Sequence, residues 1–182
     1  MIALGVQIGA SREAGWEDPI GLLADCHRRI ERFLGVLARI VALDASAPLG
    51  EEARSALKAA LHYFRTSGSL HTADEEESLF PRLRAQKAGA MMLAHQTDAL
   101  ESDHRHAERL HVEIEELTLT WTRMALSEEQ ITALREGVNR LASLYAAHIR
   151  IEETEVFAAA RTLLTAEQIA SMGAELRARR EK

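Results

Sequence analysis

A single cysteine, Cys26, among 182 residues excludes an internal disulfide and fits a reducing compartment. Three prolines and ten glycines are too few to punctuate a loop-rich or many-stranded domain. Aromatic residues make up only 4% of the chain against a hydrophobic share of 47%, so aliphatic side chains must build the core, as they do in all-α proteins. No stretch approaches the ~18 uninterrupted apolar residues of a membrane span. Residues 1–16 lack a basic segment followed by a long apolar one, so no secretory signal is read there. There is no basic excess either: the net charge of −6 and a pI near 5.8 argue against nucleic acid or an anionic membrane as partner. The expected location is the cytoplasm.

What the chain does have is helical periodicity. Residues 1–16 read as an irregular lead-in interrupted by Gly5, Gly9 and Gly15, and residues 17–182 as one domain. Asp18-Pro19 signals a helix start, with an N-cap followed by proline in the first turn. Ile20, Leu23, His27, Ile30, Leu34, Leu37 and Val41 then keep three- and four-residue steps, which put His27 on the core stripe. After a turn at Pro48-Leu49-Gly50, a second helix carries Leu57, Leu61, Phe64, Gly68, His71, Glu75 and Leu79 on one face, with Pro81 expected to kink or end it. Lys87-Ala88-Gly89 marks the next turn. A third helix turns Leu93, Leu100, His104, Ala107, His111 and Ile114 inward. Ser127 and Gln130 form a capping box that opens a fourth, with Ile131, Leu134, Val138, Leu141, Tyr145, His148, Glu152 and Val156 inward. Thr165 and Gln168 form another box and start a short C-terminal fifth helix. The expected fold is an all-α, up-down-up-down four-helix bundle with that short helix appended.

Within this pattern a hairpin is repeated at an offset of 77 residues. His27-Arg28-x-x-Glu31-Arg32 returns as His104-Arg105-x-x-Glu108-Arg109. His71-x-x-x-Glu75-Glu76 returns as His148-x-x-x-Glu152-Glu153, each followed by an aliphatic residue and phenylalanine. The turns supply an independent check. Leu49 lies midway between His27 and His71, Lys87 and Ala88 flank the midpoint of His71 and His104, and Leu126 lies midway between His104 and His148. Residues equidistant from a turn share one height in an antiparallel bundle, because each helix rises about 1.5 Å per residue. All four histidines therefore fall in one interior layer. Residues four apart on a helix share a face, so Glu75 joins His71 and Glu152 joins His148. Imidazole with carboxylate suits iron or manganese rather than calcium or magnesium, and no thiolate set exists for structural zinc or an iron–sulfur cluster. Without a cation these acids would be buried and uncompensated.

His27, His71-x-x-x-Glu75-Glu76-x-x-Leu79-Phe80-Pro81, Asp103-His104 and His148-x-x-x-Glu152-Glu153-x-x-Val156-Phe157 resemble the hemerythrin-like HHE cation-binding domain over roughly residues 18–180. The resemblance implies two iron ions in a non-haem centre bridged by Glu75 and Glu152 and by an oxo or hydroxo group. His27 and His71 would serve one iron, and His104 and His148 the other. It implies a small ligand, O2, NO or peroxide, and two classes of role. One is an oxidoreductase acting on peroxide or NO, or donating iron for cluster repair; the other is a non-catalytic protein that binds or senses iron or O2.

One departure bears on that choice. Oxygen-carrying hemerythrins place a fifth histidine where this chain has Glu108, and the equivalent residue of the first helix is Glu31. Either Glu31 and Glu108 add a terminal carboxylate to each iron, or they face outward beside Arg32 and Arg109. Added carboxylate favours the ferric state, and so favours peroxide, NO or O2 chemistry over reversible O2 carriage. Leu34, Phe64, Leu79 and Phe80 are expected to shield the centre and to admit only small ligands. Of the other candidates, His111 reads as a core or outer histidine. His62, His95 and His106 read as surface residues, and Cys26 as packing. Tyr145 is either a hydrogen-bond donor to a bridging ligand or an ordinary core aromatic. Glu76, Glu77 and Glu153 form an acidic rim or back up neighbouring histidines.

Overall fold

The computed structural model describes residues 14–87 and 90–181. Most of the expected N-terminal lead-in, and Ala88-Gly89 of the turn after the second helix, lie outside the described residues. Helix α1 spans Pro19–Val41 and is capped as expected, Gly21 N donating to the Asp18 carboxylate at 3.0 Å. The second arm is one rod made of α2 (Glu51–Tyr63), a π turn (Phe64–Gly68), α3 (Ser69–Asp74), a second π turn (Glu75–Leu79) and α4 (Phe80–Arg84). Helix α5 (Ala90–Trp121) is the third arm. The fourth comprises α6 (Glu128–Ile151), a π turn (Glu152–Val156) and α7 (Phe157–Leu163). Helix α8 (Ala166–Arg180) follows. Both capping boxes form, at Ser127/Gln130 and Thr165/Gln168. No strand occurs among the described residues, and the arms form the expected antiparallel bundle, α6 packing along both α1 and α5.

Two connections lie together at one end. Leu49 N donates to Trp121 O at 3.1 Å, Leu126 N to Ala45 O at 3.1 Å, and the Trp121 indole to Ala47 O at 3.0 Å. Bonds between the α1–α2 and α5–α6 turns satisfy backbone groups that the helix ends leave open. They also hold the two hairpins in matched register, which is what brings equidistant residues to one level.

Pro81 does not end its helix, which continues to Arg84. Proline lacks the amide that an α-helix needs, and its ring crowds the carbonyl four residues back. Here it follows directly on the Glu75–Leu79 π turn, where the bonds run five residues back rather than four. The expected inward rows are buried apart from the half-buried Gly68, His104, His111 and Tyr145, but the apolar core is not continuous. One cluster runs from Ile30 and Leu34 to Leu134 and Leu141, and the other gathers Ile20, Leu23, Leu79, Phe80, Val156 and Phe157. Between them lies a polar layer holding His27, His71, Glu75, His148 and Glu152, each at most 3% exposed.

Candidate metal centre

Each of the four histidines enters the layer from a different arm: His27 from α1, His71 from α3, His104 from α5 and His148 from α6. Glu75 and Glu152 open the two π turns that sit 77 residues apart, so the repeat seen in the sequence is also a repeat of backbone form. The π turn solves a geometric problem. His71, Glu75, Leu79 and Leu83 are spaced by four, as are His148, Glu152, Val156 and Ala160, and all eight are buried. On a regular α-helix three such steps drift by about 120°. One wider turn absorbs the drift and keeps both carboxylates aimed inward.

Two groups of four donors result: His27, His71, Glu75 and Glu152, and then Glu75, His104, His148 and Glu152. Within each group one ligand atom per residue lies within 4.8 Å of every other. Both carboxylates belong to both groups. Glu75 divides its oxygens, Oε1 lying 3.3 Å from His71 Nε2 and Oε2 lying 3.3 Å from His104 Nε2. Glu152 Oε2 lies 3.1 Å from His27 Nε2 and 3.2 Å from His148 Nε2. The Nε2 atoms of His104 and His148 face each other at 3.2 Å.

Yet four carboxylate oxygens, of Glu75 and Glu152, together with His27 Nε2, are buried without a properly directed hydrogen bond among the described residues. Leaving buried charge so poorly satisfied costs several kcal/mol per group, on the order of 2–7. Convergent imidazole nitrogens and orphaned carboxylates fit a pair of cations. In the metal-free protein, protons substitute for them. Burial alone would lower His27 and His104, but the facing carboxylates outweigh it and hold them up to about 11 and about 9. His148 is raised in the same way, whereas burial pushes His71 down to about 4. Burial would raise Glu75 and Glu152, yet the surrounding imidazoles hold both below their ordinary value.

The ring nitrogens pointing away from the centre are fixed crosswise between the hairpins. His27 Nδ1 meets Glu153 at 3.0 Å, and His104 Nδ1 meets Glu76 at 2.8 Å. Phe157 stacks on His27 with centroids 5.3 Å apart, and Phe80 on His104 at 6.2 Å. Each hairpin thus orients the other's leading histidine. Whether Glu76 and Glu153 would do this or merely form a rim stayed open in the sequence, because the answer depends on how the hairpins dock.

Glu31 and Glu108 are exposed and join neither donor group. His111 also stands apart from both groups, and its Nε2 lies 3.2 Å from the Tyr145 hydroxyl. His62, His95 and His106 are exposed, as expected, and Cys26 is buried.

An antiparallel helical bundle whose interior gathers convergent imidazoles around two carboxylates with no directed hydrogen bonds belongs to the class of cation-binding bundles. A family model described as the hemerythrin HHE cation binding domain matches residues 18–160, and the chain belongs to that family. It is also similar to an uncharacterized protein of Haemophilus influenzae, 28% identical over 176 residues that cover 92% of this chain and 93% of the relative. Among the described residues no helix is long and apolar enough to cross a membrane.

Proposed function

We propose that the chain holds two iron ions in the interior layer, one between His27 and His71 and one between His104 and His148, with Glu75 and Glu152 shared by both. The observation that carries this reading is the double membership of the two carboxylates, each within reach of imidazoles from both groups. Two ferrous ions held this way supply open coordination positions and a reducing centre for O2, NO or peroxide. The protein's part is to fix the donors. Glu76 and Glu153 turn His104 and His27 and set which ring nitrogen faces inward. Phe80 and Phe157 cover those rings and limit water. With Glu31 and Glu108 outside the layer, each ion has two imidazoles and two shared carboxylates from the protein, which leaves room for an external ligand.

Metal analysis and an optical spectrum of the purified protein test this directly. The expected result is two irons per chain with a spectrum sensitive to peroxide; a chain carrying no iron after anaerobic loading would sink it. Catalytic O2 release on adding peroxide marks an enzyme, while a stoichiometric spectral change marks a binding protein.

A further inference from the structure

Between the second arm and α5 lies a cavity of about 460 Å3 that reaches His104 and Glu76 and has His111 and Tyr145 in its wall. This is larger than the expected shielding implies, and the internal repeat explains where the space comes from. The corresponding interface on the other side of the bundle, α1 against α6, is closely packed, whereas α5 meets the second arm chiefly through α4. At the corresponding positions α1 and α6 carry Ile30, Leu34, Tyr145 and Ile149, while the cavity positions 77 residues away carry Ala107, His111, Gly68 and Thr72. Three of these four changes shorten the side chain, and the fourth replaces an alkyl group with an imidazole. Nearer the mouth the trend reverses, with Val112 and Glu115 standing opposite Gly35 and Ala38. The Phe64–Gly68 π turn runs along the cavity and has no counterpart in α6, which is regular through residues 141–145. The pseudo-symmetry of the chain therefore breaks where the space opens, and π turns are frequent at functional sites.

The lining selects a chemical class. Leu61, Phe64, Ala107 and Val112 make apolar walls, and the Phe64 ring lies 4.4 Å from that of His111. The polar pair is uncharged near neutral pH, since burial pushes His111 down to about 4 and Tyr145 upward. If Tyr145 donates its proton to His111, the phenolic oxygen is left free to accept another. Arg65 pairs with Glu115 at 3.3 Å and Glu76 is engaged by His104, while the exposed Arg105 and Glu108 bring one charge of each sign to the rim. The volume falls in the ~300–1,000 Å3 range of pockets that take small organic ligands, well beyond the needs of a diatomic.

We propose that this cavity binds a small uncharged organic molecule, with a ring-sized apolar body and one hydroxyl or carbonyl group, against the His111–Tyr145 pair and beside the metal layer. The site goes beyond the metal reading, and its recognising pair, His111 and Tyr145, lies outside both donor groups.

Phenol, toluene and benzoate are suitable probes, titrated into the full chain and followed by calorimetry and ligand-observed NMR. Saturable one-to-one binding of phenol is expected, with toluene weaker and benzoate weaker still. Gly68→Leu plugs the cavity without straining the fold. Residue 68 is helical at φ −63 and ψ −48, and a Cβ there meets nothing nearer than 3.6 Å. That variant should weaken phenol by about tenfold or more. Tyr145→Phe should reduce the preference for phenol over toluene. Absence of saturable phenol binding, unchanged affinity in Gly68→Leu, or benzoate binding as tightly as phenol would overturn the proposal. Iron content measured on the same samples separates the two readings. A chain that binds phenol but takes up no iron upholds the cavity and overturns only the metal centre.

Discussion

His71 leaves its Nδ1 buried and unpartnered among the described residues, whereas His148 turns its Nδ1 toward Asp103, 3.5 Å away. In the repeat Asp103 corresponds to Cys26, so one half carries an acid where the other carries a thiol. A carboxylate behind an imidazole fixes its tautomer and raises its basicity, and losing such a partner costs roughly 10–100-fold in metal affinity. The His104–His148 group has two acids behind it, Glu76 and Asp103, against Glu153 alone for the His27–His71 group. Stepwise metal titration should accordingly resolve two unequal affinities, and Asp103→Asn, which leaves one acid behind each group, should bring them together by weakening the tighter one. Two indistinguishable sites in the unmodified chain would show that these acids do not tune the centre. His148→Ala goes further, because it removes a donor and leaves Glu152 without one of its compensating imidazoles. It should hold fewer than two metals and lose about 3 kcal/mol of metal-free stability in urea unfolding. His71→Ala also removes a donor, but His71 is already neutral near pH 7 in the metal-free chain, so its loss should show mainly in metal content.

Helix α8, which lies wholly beyond residue 160 where the family match ends, acts on the layer from outside. Arg179 donates to Asp74 at 2.9 Å and to the Ser78 hydroxyl at 2.8 Å, and Arg180 donates to the other Asp74 oxygen at 2.7 Å. Arg82 and Ser78 both reach Glu175. Asp74 is fully buried, directly precedes Glu75, and burial pushes its pKa upward in spite of the arginines. Helix α8 therefore clamps both ends of the π turn that presents Glu75. Replacing Arg179 and Arg180 together with methionine should cost ~3–5 kcal/mol, the penalty for a buried acid deprived of its partners. Adding Asp74→Asn should restore much of that loss, and failure of this rescue would mean the arginines contribute packing rather than charge. At this scale the sequence was partly legible. Helix starts could be read from Asp18-Pro19 and the two capping boxes because those signals are local, and the common height of the histidines followed from the turns alone. The π turns were not foreseen. Their trace was present in the unbroken four-residue steps from His71 to Leu83 and from His148 to Ala160, which a 3.6-residue period cannot keep on one face. The crossed contacts of Glu76 and Glu153, and the clamp from α8, join residues 28 to 126 positions apart on different arms, and no local pattern encodes them.

For the molecule as a whole, the polar layer makes folding, metal uptake and pH one coupled equilibrium. In the metal-free chain Glu75 and Glu152 are held below their ordinary value, and His27, His104 and His148 above theirs. The depressed carboxylates contribute stability that is present above their unfolded pKa of about 4.5 and fades as pH falls. The raised histidines contribute stability that is present below about 6.5 and fades as pH climbs through their folded values, about 9 for His104 and about 11 for His27. Metal-free protein should therefore show a stability plateau between roughly pH 5 and 6.5, declining on either side. Cations must displace the protons that maintain this plateau, because a histidine ligates only when neutral. His71, already pushed down to about 4, has no proton to give near neutrality, so release should come from His27, His104 and His148. Adding ferrous ion anaerobically to weakly buffered protein at about pH 7 should release more than one proton per chain, and the gain in melting temperature on loading should grow as pH rises from about 6 to 8. Uptake without proton release, with a melting gain independent of pH, would place the metal away from these histidines and leave the two clustered acids without the role argued for them.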